Sequence, residues 1–428
     1  MNLIYQLHQK LVFDLLLVYL HCRGMADVTQ APKRLDGMKT KLADSLGRPG
    51  LSNGQVTWMS IAAGVSVANV YYLQPLLRPL AASFAVSDAL AGMLPMITMV
   101  GYAAGLLLVV PALERTGLHR LMRWLNAGRL IALALAASAT DYPLFAVASV
   151  LLGATSVLAQ ILMPAAASLA PREAVGRTTA RITAGLFGGI VGARVIAGAL
   201  DGLLGWRSVY VLSALMTLVV HLALRGLPEP PVRHGLGYRA LLASLLPLLR
   251  GQRGLRWAAL TAAAGFAGFN VFWTAVTLYV TGSAHRWSTT GAGLLGLVGV
   301  VGTATVLAIG RFLDGRMRRR LAVAAAGTMA LGLLIAGLWG LSAGALIGGA
   351  LLLDSGARVS NVANQTHALT QHPEARARLN TLYMTAYFAA GSLGSAAGAL
   401  LFAHGGWTVT ALVAAALAAL GAASAVRT

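Results

Sequence analysis

From Val56 onward the chain alternates long apolar runs with short polar connections. Twelve runs lie at 56–77, 87–111, 119–139, 143–169, 178–203, 206–225, 255–281, 289–313, 318–339, 342–370, 378–403 and 406–427. Each reaches about 20 residues, the length a helix needs to cross the hydrocarbon core of a bilayer. Residues 1–55 read differently, as a cytoplasmic or interfacial extension. Their apolar piece, Leu11–Leu20, contains Asp14, is too short to span, and lacks a small-residue cleavage site. All four lysines (Lys10, Lys33, Lys39, Lys41) fall in this extension, and Met25 offers an alternative start. Residues 226–254 read as a linker: Pro228, Pro230 and Pro231 precede the Leu-rich, Arg-flanked Tyr238–Arg250, the pattern of an interfacial amphipathic helix. The expected fold is an all-α membrane protein, with the extension 1–55, a six-helix bundle over 56–225, the linker 226–254, and a second six-helix bundle over 255–428.

One run breaks the apolar pattern. Leu351–Gln365, LLLDSGARVSNVANQ, places Asp354, Arg358, Asn361 and Gln365 at i, i+4, i+7 and i+11, a polar stripe on one helix face. A carboxylate near mid-bilayer costs roughly 2.5–3.5 kcal/mol on insertion scales, so Asp354 is expected to face a polar interior. Two readings fit it: a structural ion pair with Arg358 one turn on, or a coupling or substrate site.

Composition agrees with a membrane protein. Hydrophobic residues make up 57% of the 428 and charged residues 11%. The net charge of +20 does not point to nucleic acid, because the basic residues cluster in short connections between apolar runs. Alternate connections carry Arg115, Arg120 and Arg123; Arg172, Arg177 and Arg181; the linker arginines; Arg311, Arg316, Arg318, Arg319 and Arg320; and Arg376 with Arg378. The opposite connections hold only Arg78, Arg207 and Arg286. The basic side is therefore expected to be cytoplasmic, and an even number of crossings puts both termini there. The single cysteine, Cys22, rules out an internal disulfide and a cysteine metal site, and no metal or cofactor is expected. GLSNG (Gly50–Gly54) and GLSAG (Gly340–Gly344) follow no strand, and no P-loop or HExxH occurs, so neither an enzyme nor an ATP-driven pump is expected.

The halves repeat. AAGVSVANVYY (Ala62–Tyr72) matches AAGFAGFNVFW (Ala263–Trp273) at a shift of 201, which sets Asn69 on Asn270. The same shift takes Ser87 to Ser288, Glu173 to Glu374, Arg177 to Arg378 and Trp206 to Trp407. One register held across six helices is an internal duplication in parallel orientation.

Twelve spans, duplicated halves and a basic central loop resemble the major facilitator superfamily. PALERTGLHR (Pro111–Arg120) is similar to its signature after the second span, and GRFLDGRMRRR (Gly310–Arg320) is the counterpart. The resemblance implies a cytoplasmic gate of Glu114, Arg115, Gly117 and Arg120 with Gly310, Asp314, Gly315 and Arg316. In it an acid meets arginines and glycine permits the turn. Further stretches resemble a bacterial subgroup of drug or arabinose-type efflux permeases: ANVYYLQPLL (Ala68–Leu77), VGYAAGLLLVVP (Val100–Pro111), Gly192–Ala193–Arg194, SNVANQ (Ser360–Gln365) and RARLNTLYMTAYF (Arg376–Phe388). Two positions depart from proton antiporters of the superfamily. Ser149 stands where many have arginine, and no proline follows Gly192 in the fifth span.

Arg194 supplies a possible substitute. It lies about 16 residues into its span, about 24 Å at 1.5 Å per residue, a depth similar to that of Asp354. The superfamily's interface would let the two meet in one state. Pairing with an arginine favours a carboxylate and isolation in a dry pocket favours the acid, a scheme for proton coupling. Arg194, Asp354 and Arg358 are the coupling candidates. From the helices that build the superfamily's cavity, Asn69, Tyr71, Tyr72, Gln74, Gln160, Asn270, Trp273, Asn361, Asn364 and Gln365 are the cavity candidates. Such a lining suits a neutral, amphipathic or weakly charged ligand, though each amide could instead serve interhelical hydrogen bonding. The expectation is a monomeric, multi-pass secondary transporter of the inner membrane, moving a small organic solute by alternating access. Proton-coupled efflux is its favoured mode, with uptake, facilitated diffusion or a non-transporting receptor as alternatives.

Overall fold

The computed structural model describes residues 51–230, 237–283, 285–309, 315–370, 372 and 375–426, without the side chains of Glu114, Arg172, Gly315 and Arg316. Residues 1–50 of the expected extension, and Gly310 and Asp314 of the expected gate, lie outside the described residues.

The first helix starts on a reciprocal cap: the Gln55 amide donates to the Ser52 hydroxyl, and the Ser52 amide donates to the Gln55 side chain. This helix, α1, runs Asn53–Tyr71 and then, bent by 42°, Leu73–Ser83. The bend has a chemical cause, since Pro75 has no amide hydrogen to give the Tyr71 carbonyl. The hydropathy pattern predicts one run over 56–77; the crossing is longer and angled at mid-depth.

The first half continues with α2 (Asp88–Ala112), α3 (Leu118–Ser138), α4 (Tyr142–Leu169), α5 (Val175–Leu204) and α6 (Arg207–Gly226). The second holds α7 (Arg253–Val280), α8 (Thr289–Ile309), α9 (Gly315–Leu338) and α10 (Ala343–Thr370). The helix Arg376–Ala425 comprises two crossings, α11 over 376–405 and α12 over 406–425. Gly406 separates them at φ +69°, ψ −171°, a conformation residues with a Cβ rarely adopt. Among the described residues, eight helices are long and apolar enough to span, or nine counting bent α1 as one. The double crossing at Gly406, and α3 and α10 with their buried ionised side chains, bring the crossings to the twelve of the hydropathy pattern.

Within α4 the helix is interrupted at Ser156–Val157. There Arg129 of α3 donates Nη2 to the Thr155 carbonyl (2.7 Å) and Ser66 donates Oγ to the Ser156 carbonyl (2.6 Å). Side chains inserted into the backbone ladder break a helix in this way, and they give the buried Arg129 its acceptors.

The two bundles pack alike. α1 lies on α5 and α7 on α11, with glycine letting the backbones touch. A Cβ on Gly64 would stand 2.6 Å from the Gly185 carbonyl oxygen, and one on Gly398 2.6 Å from that of Val271. Asn69 and Asn270, matched by the 201-residue shift, each donate Nδ2 to the carbonyl four residues back, Val65 at 3.0 Å and Phe266 at 2.8 Å. The bundles meet where α2 crosses α11 and α5 crosses α8.

The end away from the arginine-rich connections is tightly joined. A Cβ on Gly198 of α5 would lie 2.6 Å from the Thr289 carbonyl oxygen of α8, and one on Gly92 of α2 2.5 Å from the Ala399 Cβ of α11. The basic end carries the linker, whose helix is split at Ser244 into Tyr238–Ala243 and Leu245–Gly251. Tyr238 donates to the Leu108 carbonyl at 2.6 Å, and Arg378 donates to Ser244 Oγ at 3.1 Å, so the linker touches both halves. The Glu229 carboxylate accepts the amides of Leu118 and His119 at the start of α3, where the helix dipole favours an anion.

Candidate functional site

Between the bundles lies a cavity of about 200 Å³. On α10 its wall runs from Asp354 through Arg358 and Asn361 to Gln365, and on α5 from Thr183 to Ile190. Both stretches lie between mid-helix and the basic end, so the floor sits at mid-membrane and the cavity extends toward the arginines. The walls are aromatic: Phe266 and Tyr387 stack at 3.8 Å, and Tyr102 and Phe388 meet at 4.3 Å.

Asp354 is fully buried and Arg358 is 6% exposed. Arg358 donates Nε to Asp354 Oδ2 at 2.5 Å, and its guanidinium carbon lies 4.6 Å from the centre of the Phe187 ring. The i, i+4 pair expected from the sequence is therefore formed. Asp354 Oδ1 has no hydrogen-bond partner among the described residues. Thus one oxygen of the carboxyl group is held by a cation and the other is buried without a donor.

The slot for this pair is made by glycine on α8. A Cβ on Gly302 would run into Asp354 Oδ2, and one on Gly299 would sit 2.8 Å from Arg358 Nη2. The 201-residue shift maps these positions onto Gly101 and Thr98, and Asp354 onto Gly153. In the first half the same crossing is closed: a Cβ on Gly153 would lie 2.7 Å from the Tyr102 amide nitrogen. The two copies differ here: the first has a close helix crossing, and the second holds a charge pair at the matching position. Gly302→Ala is expected to keep the fold and to displace the Asp354–Arg358 side chains, which can yield where backbone cannot. Gly101→Ala, which meets the Val150 backbone instead, is expected to lower the melting temperature. Melting curves of both variants check this; a loss in Gly302→Ala as large as that in Gly101→Ala would refute it.

Arg194 extends the same stripe. Gly293 receives its backbone and Gly296 its aliphatic stem, where a Cβ would stand 2.8 Å from Arg194 Cβ. Its Nε donates to Gln74 Oε1 at 2.6 Å, while Nη1 and Nη2 have no acceptor among the described residues. The guanidinium lies 3.9 Å from the Trp273 ring centre, 5.3 Å from that of Tyr71 and 5.8 Å from that of Phe269. A desolvated cation–π contact contributes about 2 kcal/mol, less than the several kcal/mol that burying a cation costs. Among the described residues Arg194 and Asp354 form no ion pair, so the meeting expected from the sequence is not seen in this structure.

The other cavity candidates divide. Tyr71, Gln160, Asn361 and Gln365 line the cavity. Asn361 accepts from the Tyr383 hydroxyl at 2.9 Å, and Gln365 donates to Asn380 at 2.8 Å. Asn69, Tyr72, Gln74, Asn270, Trp273 and Asn364 lie behind the lining. Asn69, Asn270 and Asn364 each donate to a carbonyl one turn back, and Gln74 and Trp273 surround Arg194. Sequence reasoning missed the aromatic walls and the α8 stripe. Gly293, Gly296, Gly299 and Gly302 recur every third residue, a signal that was available. At the gate, Gly117 takes φ +74° in the turn before α3, as a glycine turn requires, and Arg115 and Arg120 are exposed.

Comparisons with known proteins agree with this architecture. The sequence pattern described as "Major Facilitator Superfamily" matches residues 59–366. "Uncharacterized transporter YgaY" of Escherichia coli O157:H7 is 36% identical over 372 residues, covering 86% of this chain and 94% of that protein. "Probable transporter SCO4007" of Streptomyces coelicolor is 34% identical over 367 residues, covering 85% of each. Among solved structures, the nucleoside transporter NupG superposes with a TM-score of 0.71 at 13% identity, covering 88% of this chain and 99% of that one. A D-xylose–proton symporter gives 0.69 at 16%, covering 86% and 96%. Identities this low show a shared fold and nothing about the solute.

Proposed function

Because the chain belongs to the major facilitator superfamily of transporters, we propose that it moves a small organic solute by alternating access, with Asp354 taking up and releasing a proton on each cycle. The observation that carries this reading is the carboxyl group itself. Asp354 is fully buried at the cavity floor, with Oδ2 on Arg358 and Oδ1 unpartnered. A buried carboxylate held by one cation changes protonation when that contact changes, and rocking of two bundles about a midplane site changes such contacts. Arg194, one glycine step along α8, is the alternative cation. The cycle needs no second subunit, since one chain forms the whole cavity, and we assign a monomer. We place the protein in a bacterial inner membrane with the basic end and both termini in the cytoplasm, from the arginine distribution.

Efflux against proton entry is the direction we assign. It is supported by the resemblance to efflux permeases and by a cavity that extends toward the basic end, where a departing solute enters. A second reading, proton-coupled uptake, has one observation in its favour: the Asp354–Arg358 pair is already closed in this form, as after delivery of a proton inward. Reconstituted vesicles with an imposed pH gradient test both. A solute panel is added and lumenal pH is read. Solute movement that dissipates the gradient is expected, its sign separating antiport from symport; solute movement without any proton movement would refute the coupling.

A further inference from the structure

Charge around the cavity floor does not balance. Among the described residues, the buried ionised groups at this depth are Asp354, Arg358, Arg194 and, within the first bundle, Arg129. Asp354 and Arg358 neutralise each other. Arg129, between α1, α3 and α4 and not among the cavity-lining residues, donates Nη2 to Thr155 and Ser66, while its Nε and Nη1 have no partner among the described residues. Two buried cations thus lack a counter-ion among the described residues, and Arg194 is the one beside cavity-lining rings, with one neutral amide oxygen as acceptor and two guanidinium nitrogens that have none.

That charge stands one ring from the cavity. Tyr71 and Phe269 line the cavity on one side and lie near the Arg194 guanidinium on the other. Arg358 is itself a lining residue, and only its Nε engages Asp354. A solute on the cavity floor therefore meets Arg358 among the lining side chains and the field of Arg194 through two rings. Around it stand Phe187, Phe266, Tyr387 and Phe388, which suit a flat apolar body.

We propose that the transported solute is an organic anion, a carboxylate or related oxyanion on a flat apolar body, bound through Arg358 with Arg194 as the balancing charge. The proposal rests on the reading of the chain as a transporter and holds for either direction. Guanidinium groups bind oxyanions bidentately through paired N–H donors, and Arg358 has such donors free of the Asp354 contact. When the basic end closes over the loaded site, an anion cancels the surplus charge. A neutral solute leaves that charge buried without a counter-ion, and a cation adds to it. The amide-rich lining inferred from sequence suggests a neutral or weakly charged ligand; the charge balance of the assembled site revises that.

The test uses purified full-length protein in detergent and three probes of similar shape: benzoate, benzylammonium and benzyl alcohol, with naphthoate as a larger carboxylate. Ligand-dependent melting and tryptophan fluorescence report binding, the latter through Trp273 beside Arg194. Carboxylates are expected to bind and stabilise, and the ammonium and alcohol probes to fail. Arg194→Gln is expected to weaken carboxylate binding about tenfold or more, and Arg194→Lys to retain the preference for anions. Equal binding of the alcohol or ammonium probe by wild type, binding of neither carboxylate, or unchanged affinity in Arg194→Gln would overturn the proposal. The preference of the wild type needs no variant, so a poorly folding substitution does not blunt the test. No gradient is present, so a failure of proton coupling appears only in vesicles, and a failure of anion recognition appears here.

Discussion

Asp354→Asn is expected to abolish solute accumulation driven by a pH gradient while leaving solute-for-solute exchange close to wild type. Asparagine has the shape of the carboxylic acid and keeps an oxygen to accept from Arg358 Nε, so the slot beside Gly299 and Gly302 stays filled. It cannot take up or release a proton, so the variant holds one protonation state through the whole cycle. Exchange needs only that the loaded site pass back and forth. Accumulation needs the proton to do so as well. Counterflow and gradient-driven uptake measured on the same vesicles separate the two. Equal accumulation by variant and wild type would remove Asp354 from the coupling.

Arg358→Gln should be the more damaging change to the folded protein. It removes the cation paired with Asp354, which is fully buried. Breaking one side of a buried pair costs about 3–5 kcal/mol, because the remaining charge is left uncompensated. Replacing both partners avoids that penalty, so Asp354→Asn combined with Arg358→Gln should recover most of the loss. Denaturation of the two single variants and the double variant gives the coupling directly. Strictly additive losses would mean the two side chains do not act as a pair.

The crossings and the duplication were legible in the sequence because hydropathy and a repeated register are carried by the chain itself. Pro75 was in plain view, yet its bend had to be seen to explain why Tyr71 lines the cavity while Tyr72 lies behind. The tenth-helix stripe was legible for the same reason: i, i+4 geometry is local, and Asp354 meets Arg358 without help from another helix. Contacts across helices were not legible. Nothing near Arg194 in sequence announces Gln74 or Trp273, which arrive from α1 and α7. The amides divided for a physical reason. Asn69, Asn270 and Asn364, surrounded by apolar neighbours, donate to the nearest carbonyl of their own helix, whereas Asn361 and Gln365 border the cavity and bond to α11 side chains. The slot at Gly299 and Gly302 emerges only when α8 is laid against α10. Its counterpart at Gly101 and Gly153 then shows how the two copies differ.

Protonation of one carboxyl group as the driver of rocking is tested most directly by a distance across the basic end. Spin labels at Arg123→Cys on α3 and Arg320→Cys on α9, both exposed positions, in a Cys22→Ser background, report how far apart the bundles stand there. The account predicts that acidification shifts the distance distribution in this background, and that adding Asp354→Asn leaves one distribution at every pH. A pH-dependent shift that persists unchanged in the Asp354→Asn protein would contradict it.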